Sequence, residues 1–239
     1  MPQPENAFLY IWNDYSEARR LEYDKWHTFE HVPERVSLPG FEAGYRYQSE
    51  DEGTQAYFTE YRLASLEALE TADYANVVDY PTEWSAKMRP EFSNVFRLPS
   101  RLICSAGCGT PGWVATIVFT VDDADASFTG LIHQSTSSML RDRKISGYQI
   151  SEADGVPPYK VFTQVNSNAL SCAILAVVLS APTKASANCA VNDLLAHCDL
   201  ESSSEKLLQL GVYHFCYGIE SSEVSSKRAE GHPEEFKVQ

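Results

Sequence analysis

Basic side chains are scarce in this chain: 19 Lys and Arg stand against 33 Asp and Glu, a formal net charge of −14. So acidic a surface repels phosphate backbones and anionic lipid, which argues against nucleic-acid and membrane partners. Long apolar runs are missing too. The longest, Ala173 to Leu179, is far too short to cross a bilayer. The amino terminus shows neither the basic stretch nor the apolar core of a secretory signal. No G-x-G-x-x-G follows a strand, and there is no P-loop and no G-x-S-x-G elbow. Nicotinamide, nucleoside-triphosphate and serine-hydrolase chemistry therefore lack their usual markers. The six cysteines are scattered. Cys104 and Cys108 could hold metal only with two further ligands, while Cys172 and Cys216 fall in apolar strand patterns and read as small core residues. The expectation is a cytoplasmic protein with reduced thiols.

What is present is a globular composition of 44% hydrophobic and 12% aromatic residues over 239 positions, enough for two domains that each bury a core. The pattern reads as two similar halves. In the first, 6–12 is an aromatic, β-branched strand, and Ala18, Leu21, Trp26 and Phe29 mark an amphipathic helix ending near His31. Strands follow at 41–48 and 55–63. A short helix capped by Ser65 precedes a looser region over 74–88, and a last strand covers 92–104. That order is β-α-β-β-α-β. The second half repeats it: a strand at 113–121, a helix from Asp123 toward Leu140, strands at 145–150 and 173–180, a helix over 183–197 and a strand over 210–219. Aligning Gly44 with Gly147 relates the halves. The expected divisions are a site-bearing domain at 1–106, a divergent second domain at 107–220 with its junction in the small residues 105–112, and a disordered tail at 221–239. Between its strands the second half carries a longer insert, 152–168, containing Pro157-Pro158.

The densest chemistry lies in Trp26-His27-Thr28-Phe29-Glu30-His31-Val32-Pro33-Glu34-Arg35, followed by Pro39-Gly40-Phe41. His27 and His31 are four apart and share one helix face, with Glu30 and Glu34 beside them. Histidine exchanges protons near neutral pH, and carboxylates tune it. A solvated helix end is the plain alternative. H-x-x-E-H is also the inverzincin zinc pattern, but Pro33 should end the helix just after the ligand pair, so no metal is expected.

The order W-x-x-x-E-H-x-P-E-R, a short spacer, then P-G-F-x-x-x-x-R-Y, resembles the EthD-like family of dimeric α/β-barrel proteins. It is carried by Trp26, Glu30, His31, Pro33, Glu34, Arg35, Pro39, Gly40, Phe41, Arg46 and Tyr47. Tyr80-Pro81-Thr82-Glu83-Trp84, Met88, Phe92 and Arg97 also resemble that family's ending. The resemblance covers about residues 6 to 104. It implies an α+β fold of ferredoxin-like βαββαβ units, here two in tandem forming an intrachain dimeric α/β-barrel. It also implies a small-molecule pocket, usually without metal, and no single reaction. With both sheets in one chain, the barrel can close in a monomeric pseudo-dimer, and further homodimerisation is not required.

Under the Gly44–Gly147 alignment, Gly130, Gln134 and Gln149 stand opposite His27, His31 and Arg46, so the chemistry should sit in the first half. His133 then reads as a helix-surface residue, and His214 as a strand residue facing a core or pocket. Tyr10, Trp12, Tyr45, Tyr47, Tyr57 and Tyr61 could wall an aromatic cavity beneath the helix, with alternation placing Tyr45 and Tyr47 opposite Gly44 and Arg46. The candidate catalytic set is His31 as principal proton carrier, with His27, Glu30 and Glu34. Tyr45, Tyr47, Tyr61, Trp84 and the cations Arg46 and Arg97 are candidates for binding substrate. The helix C-terminus should raise the His31 pKa if its ring is not deeply buried. The resulting expectation is a cofactor-independent lyase, isomerase or cyclase acting on a small aromatic or unsaturated carbonyl compound. The alternatives are a cofactor-free monooxygenase of a phenol and a non-catalytic small-molecule binder.

Overall fold

The computed structural model describes residues 6–121, 126–165, 173–198 and 206–224. The first half contains β1 (Ala7–Tyr15), α1 (Arg20–Trp26), a π-helical turn (His27–His31), α2 (Val32–Val36), β2 (Phe41–Gln48), β3 (Tyr57–Leu63), α3 (Ala72–Asp79), α4 (Glu83–Met88) and β4 (Phe92–Gly107). The second contains β5 (Trp113–Val121), α5 (Ala126–Arg141), β6 (Gly147–Ala153), β7 (Ala173–Ala181), α6 (Lys184–Cys198) and β8 (Lys206–Glu220). Each half is a four-stranded antiparallel sheet, and the two join edge to edge, β2 to β8 and β4 to β6, in a closed barrel ordered β1-β3-β2-β8-β5-β7-β6-β4. Closure removes the edge strands that two open sheets would expose. The expected tandem βαββαβ architecture is what forms. β4 extends through Gly107, so Ser105, Ala106 and Gly107 of the expected junction are strand residues paired to β6.

Alternation in β1 sorts the two sides of the sheet. Phe8, Tyr10 and Trp12 point into the barrel with Tyr47, Phe58, Phe96, Val118, Val178 and Tyr213. The indole of Trp12 donates across the halves to Thr116 Oγ1 at 3.0 Å. Leu9 instead faces the helices, with Val32, Val36, Tyr61 and Val77. In the second half that outer space is filled by Phe119, Phe128, Ile132, Met139, Tyr148 and Leu194. Gly44 is where α2 crosses β2. A Cβ there would lie 2.6 Å from Val32 Cγ1 and 3.0 Å from Val36 Cγ2, so any side chain would push the helix off the sheet.

The same alternation corrects several expectations. Gly44 faces the helices, whereas Gly147 does not: its neighbours Tyr148 and Ile150 do. The Gly44–Gly147 alignment is thus one residue out of register, and a slip of one exchanges the two faces. The helix does not stop at His31 but runs on to Val36. Pro33 is tolerated because the π turn widens the coil just before it. Val32 N–H reaches back to His27 O, and Pro33, in the first turn of α2, has no N–H to waste. The region 74–88 is two helices rather than loose chain, with Thr71 Oγ1 capping α3 and Thr82 Oγ1 capping α4. Cys216 is exposed because β8 bulges there. Arg46 pairs with Tyr217 and Tyr47 with Phe215, so Cys216 opposes nothing in β2. Ser221–Glu223 form an ordered turn at the start of the expected tail. Cys172, the Asp123 cap and the rest of the tail lie outside the described residues.

Candidate active site

Between the first-half sheet and its helices lies a cleft with about 630 Å³ of unfilled space, mouth included. Its floor is the outer face of the sheet: Leu9, Ile11 and Asn13 of β1, Thr59 and Tyr61 of β3, and Val95 and Arg97 of β4. Trp26, His27, His31 and Arg35 descend from the first helix, and Tyr74, Arg89 and Phe92 close the far side. The last wall comes from the other half: Tyr159, Val161 and Phe162 of the long β6–β7 connection.

The π turn brings the two imidazoles together, with ring centroids 5.1 Å apart and His31 against the Trp26 ring at 4.5 Å. Their Nδ1 atoms, Thr59 Oγ1, the Tyr61 hydroxyl and Arg97 Nε are all buried, and none has a hydrogen-bond partner. Buried polar atoms are normally satisfied, and five orphans around one cleft set it apart from the rest of the interior. Burial drives the pKa of both histidines well below the ordinary imidazole value. Arg46 and Arg35 add to this at His27, and Arg35, His27 and Arg89 at His31. The expected rise for His31 fails for two reasons: the ring is buried, and it sits within a helix rather than at its C-terminus.

Three guanidiniums supply the charge. Arg35 pairs with Glu34 at 2.8 Å. Arg89 donates to the Val78 and Val77 carbonyls at 2.7 and 2.9 Å. Arg97 Nη2 donates to the Tyr74 hydroxyl at 3.3 Å. Burial alone would raise the Tyr74 pKa, but Arg97 and Arg35 outweigh it and lower the phenol. No carboxylate lines the cleft among the described residues. Neutral imidazoles thus stand beside fixed cations in one cleft of an acidic protein.

The sequence-derived candidates therefore separate. His27, His31, Tyr61 and Arg97 meet in the cleft. Glu30 points away, accepting hydrogen bonds from Trp26 Nε1 at 3.1 Å, Thr82 Oγ1 at 2.5 Å and Ser85 Oγ at 3.0 Å, which ties the first helix to α4. Glu34 engages Arg35 at 2.8 Å. Tyr47 packs inside the barrel, and Tyr45 donates to Glu220 on that same side, so alternation puts both out of reach. Tyr10 and Trp12 share the interior, and the supposed aromatic wall is split between two faces. Arg46 is buried under Tyr23 and Tyr57 and paired with Asp24, behind the cleft. Trp84 is partly buried against the cluster of Tyr15, Tyr23, Trp26, Tyr57 and Met88 and does not line the cleft. His133 is exposed on α5, as expected, and His214 lies against Trp113, away from the cleft. The Pro33 argument against zinc lapses with the continuous helix. Among the described residues, however, no three His, Cys, Asp or Glu come together to hold a metal. Tyr74, Arg89, Thr59 and the second-half aromatics carry no motif that would have singled them out. Only the length of the insert hinted at a role.

No protein-family model matches the chain, and no curated protein matches its sequence. Solved structures do match. The chain is similar to an anthrone oxidase-like protein at TM-score 0.62 and 8% identity, over 97% of this chain and 98% of that one. It is similar to a candidate monooxygenase from Lactobacillus acidophilus at TM-score 0.51 and 11% identity, over 91% and 94%. A haem-binding protein from Thermus thermophilus matches at TM-score 0.54 and 8% identity, over 88% and 91%. The fold is a dimeric α/β-barrel closed within one chain. At such identities the likeness speaks for architecture, and function must be argued from the site.

Proposed function

We propose that the first-half cleft is an active site that removes a proton from a planar aromatic or unsaturated carbonyl compound and holds the resulting enolate or phenolate. The observation that carries this reading is the set of unpartnered buried polar atoms, His27 Nδ1, His31 Nδ1, Thr59 Oγ1, Tyr61 OH and Arg97 Nε, in one aromatic-lined cleft. In this reading His31 accepts the proton, His27 assists, and Arg97 with Tyr61 faces the developing oxyanion. Burial penalises a lone imidazolium more than one formed beside an enolate, whose opposite charge offsets part of the cost. Glu30 and Glu34 keep the helix in place. The resemblance of Trp26 to Tyr47 to EthD-like proteins is in keeping with a small-molecule pocket, usually without metal. The fate of the anion divides the alternatives: return of the proton at another carbon makes a lyase, isomerase or cyclase, while reaction with O₂ makes a monooxygenase. The names of two similar structures favour the oxygen branch.

Anthrone under air tests it. Oxygen uptake matched mole for mole by anthraquinone, with one water formed, is the expected result. Solvent deuterium entering anthrone under argon, with no net oxygen chemistry in air, would move the reading to the isomerase branch. Unchanged anthrone and unchanged related phenols would leave a binding protein. A stoichiometric Soret shift on haemin addition, lost in His31→Ala, would replace the cofactor-free reading. Because His133 lies outside the cleft on α5, His133→Ala is expected to retain activity within about twofold. A collapse of turnover with the fold intact would place the chemistry in the wrong half.

A further inference from the structure

The second half does more than close the barrel. After β6, Val156 anchors the chain in the barrel core, and the connection then crosses to the first half. There Val165 N–H donates to Val95 O at 2.9 Å, Gln164 Oε1 accepts from Arg97 N–H at 3.0 Å, and Lys160 pairs with Asp79. Gln164 Nε2 also donates to Pro157 O at 2.6 Å, bracing the segment internally. Two rings are thereby set against the cleft. Phe162 packs on Phe92 at 4.9 Å, and the Tyr159 ring lies against the Arg97 guanidinium at 4.6 Å, the same guanidinium that donates to the Tyr74 hydroxyl at 3.3 Å. The outer space of the second half's own sheet is already filled, so these apolar residues find their partners across the pseudo-dimer.

We propose that the segment 157–165 of the second half is the specificity element of the first-half site, with Phe162 setting the width of ligand admitted and Tyr159 positioning Arg97 for a ligand's anionic oxygen. The proposal rests on the reading of the cleft as a small-molecule site. Each ring acts in its own way. Phe162 faces the space between sheet and wall, so its loss widens the slot. Tyr159 meets Arg97 by its ring face, so the ring can be removed separately from the hydroxyl.

Calorimetric titration of the full chain under argon with 1-naphthol, anthrone and 1-hydroxy-2-naphthoate provides the test, with circular dichroism confirming the fold of each variant. Phe162→Ala is expected to weaken the two-ring 1-naphthol by about tenfold while leaving three-ring anthrone unchanged or tighter. Tyr159→Leu is expected to weaken the carboxylate probe by about tenfold more than 1-naphthol, and Tyr159→Phe, which keeps the ring over Arg97, to restore most of that loss. Equal changes for all probes, or none, with wild-type binding intact, would overturn this proposal while the cleft reading stands. If wild type binds no probe, the cleft reading falls and this proposal with it.

Discussion

Turnover is expected to fall by about 10²–10⁴-fold when His31 is replaced by Gln, with thermal stability little changed. Glutamine keeps size and hydrogen bonding but cannot carry a proton, so the loss of about 3–5 kcal/mol of barrier reduction reports proton transfer alone. His27→Gln should cost less, since its ring acts beside His31 rather than in its place. The pH profile supplies an independent check. Burial and the neighbouring Arg35 hold the His31 pKa well below its usual value, so the ring stays neutral as pH falls through 6.5. The activity kcat/KM should therefore be flat from pH 8 to about 6.5, with the acid limb below it. Wild-type turnover in the Gln variant, or an acid limb above pH 7, would mean that His31 positions the ligand or the helix and does not exchange the proton.

The second large effect is on stability and lies on the other face of the sheet. Glu60 projects from β3 into the barrel, where Gln149 Nε2 of β6 donates to it at 3.3 Å; Tyr10 donates to the same Gln149 at 3.2 Å. Burial pushes the Glu60 pKa up to about 7, while Gln149 and Arg62 oppose the shift. A raised carboxyl is harder to ionise in the folded chain than in the unfolded one. Its penalty is absent in strong acid, grows as pH rises past the unfolded value, and is complete above about 7. Lifting a carboxyl from 4.5 to about 7 corresponds to about 3 kcal/mol. Glu60→Gln is therefore expected to stabilise the protein by up to about 3 kcal/mol at pH 8 and by less than about 1 kcal/mol at pH 5. Urea unfolding at the two pH values measures this. An equal change at both would show that Glu60 does not titrate on its own in the barrel.

The histidine cluster was legible because a spacing of four in a helical sequence places two rings together whether the turn is α or π. The fates of the carboxylates beside it were not. Glu30 and Glu34 are adjacent to the same histidines in sequence, yet one ties down α4 and the other holds Arg35. Only the packing of a second helix, distant in sequence, decides which. Tyr45 and Tyr47 show the same limit for strands. Alternation correctly grouped them on one face, but which face met the helices depended on how the sheet closed, and closure turned both inward.

The sequence by itself determined the βαββαβ order, its duplication, the confinement of the His pair to one half and the absence of common cofactor motifs. Each of these follows from local periodicity, turn chemistry or spacing, which operate within a few residues. Tertiary structure decided which residues line the cleft. It carried the helix through Pro33, buried the imidazoles in a cleft so that the expected pKa shift reverses, and faced Arg97 rather than Arg46 into it. It also brought Tyr159 and Phe162 across from the other half. Those outcomes depend on burial and on contacts between segments far apart in the chain, where one residue of register exchanges the barrel-interior face for the cleft face.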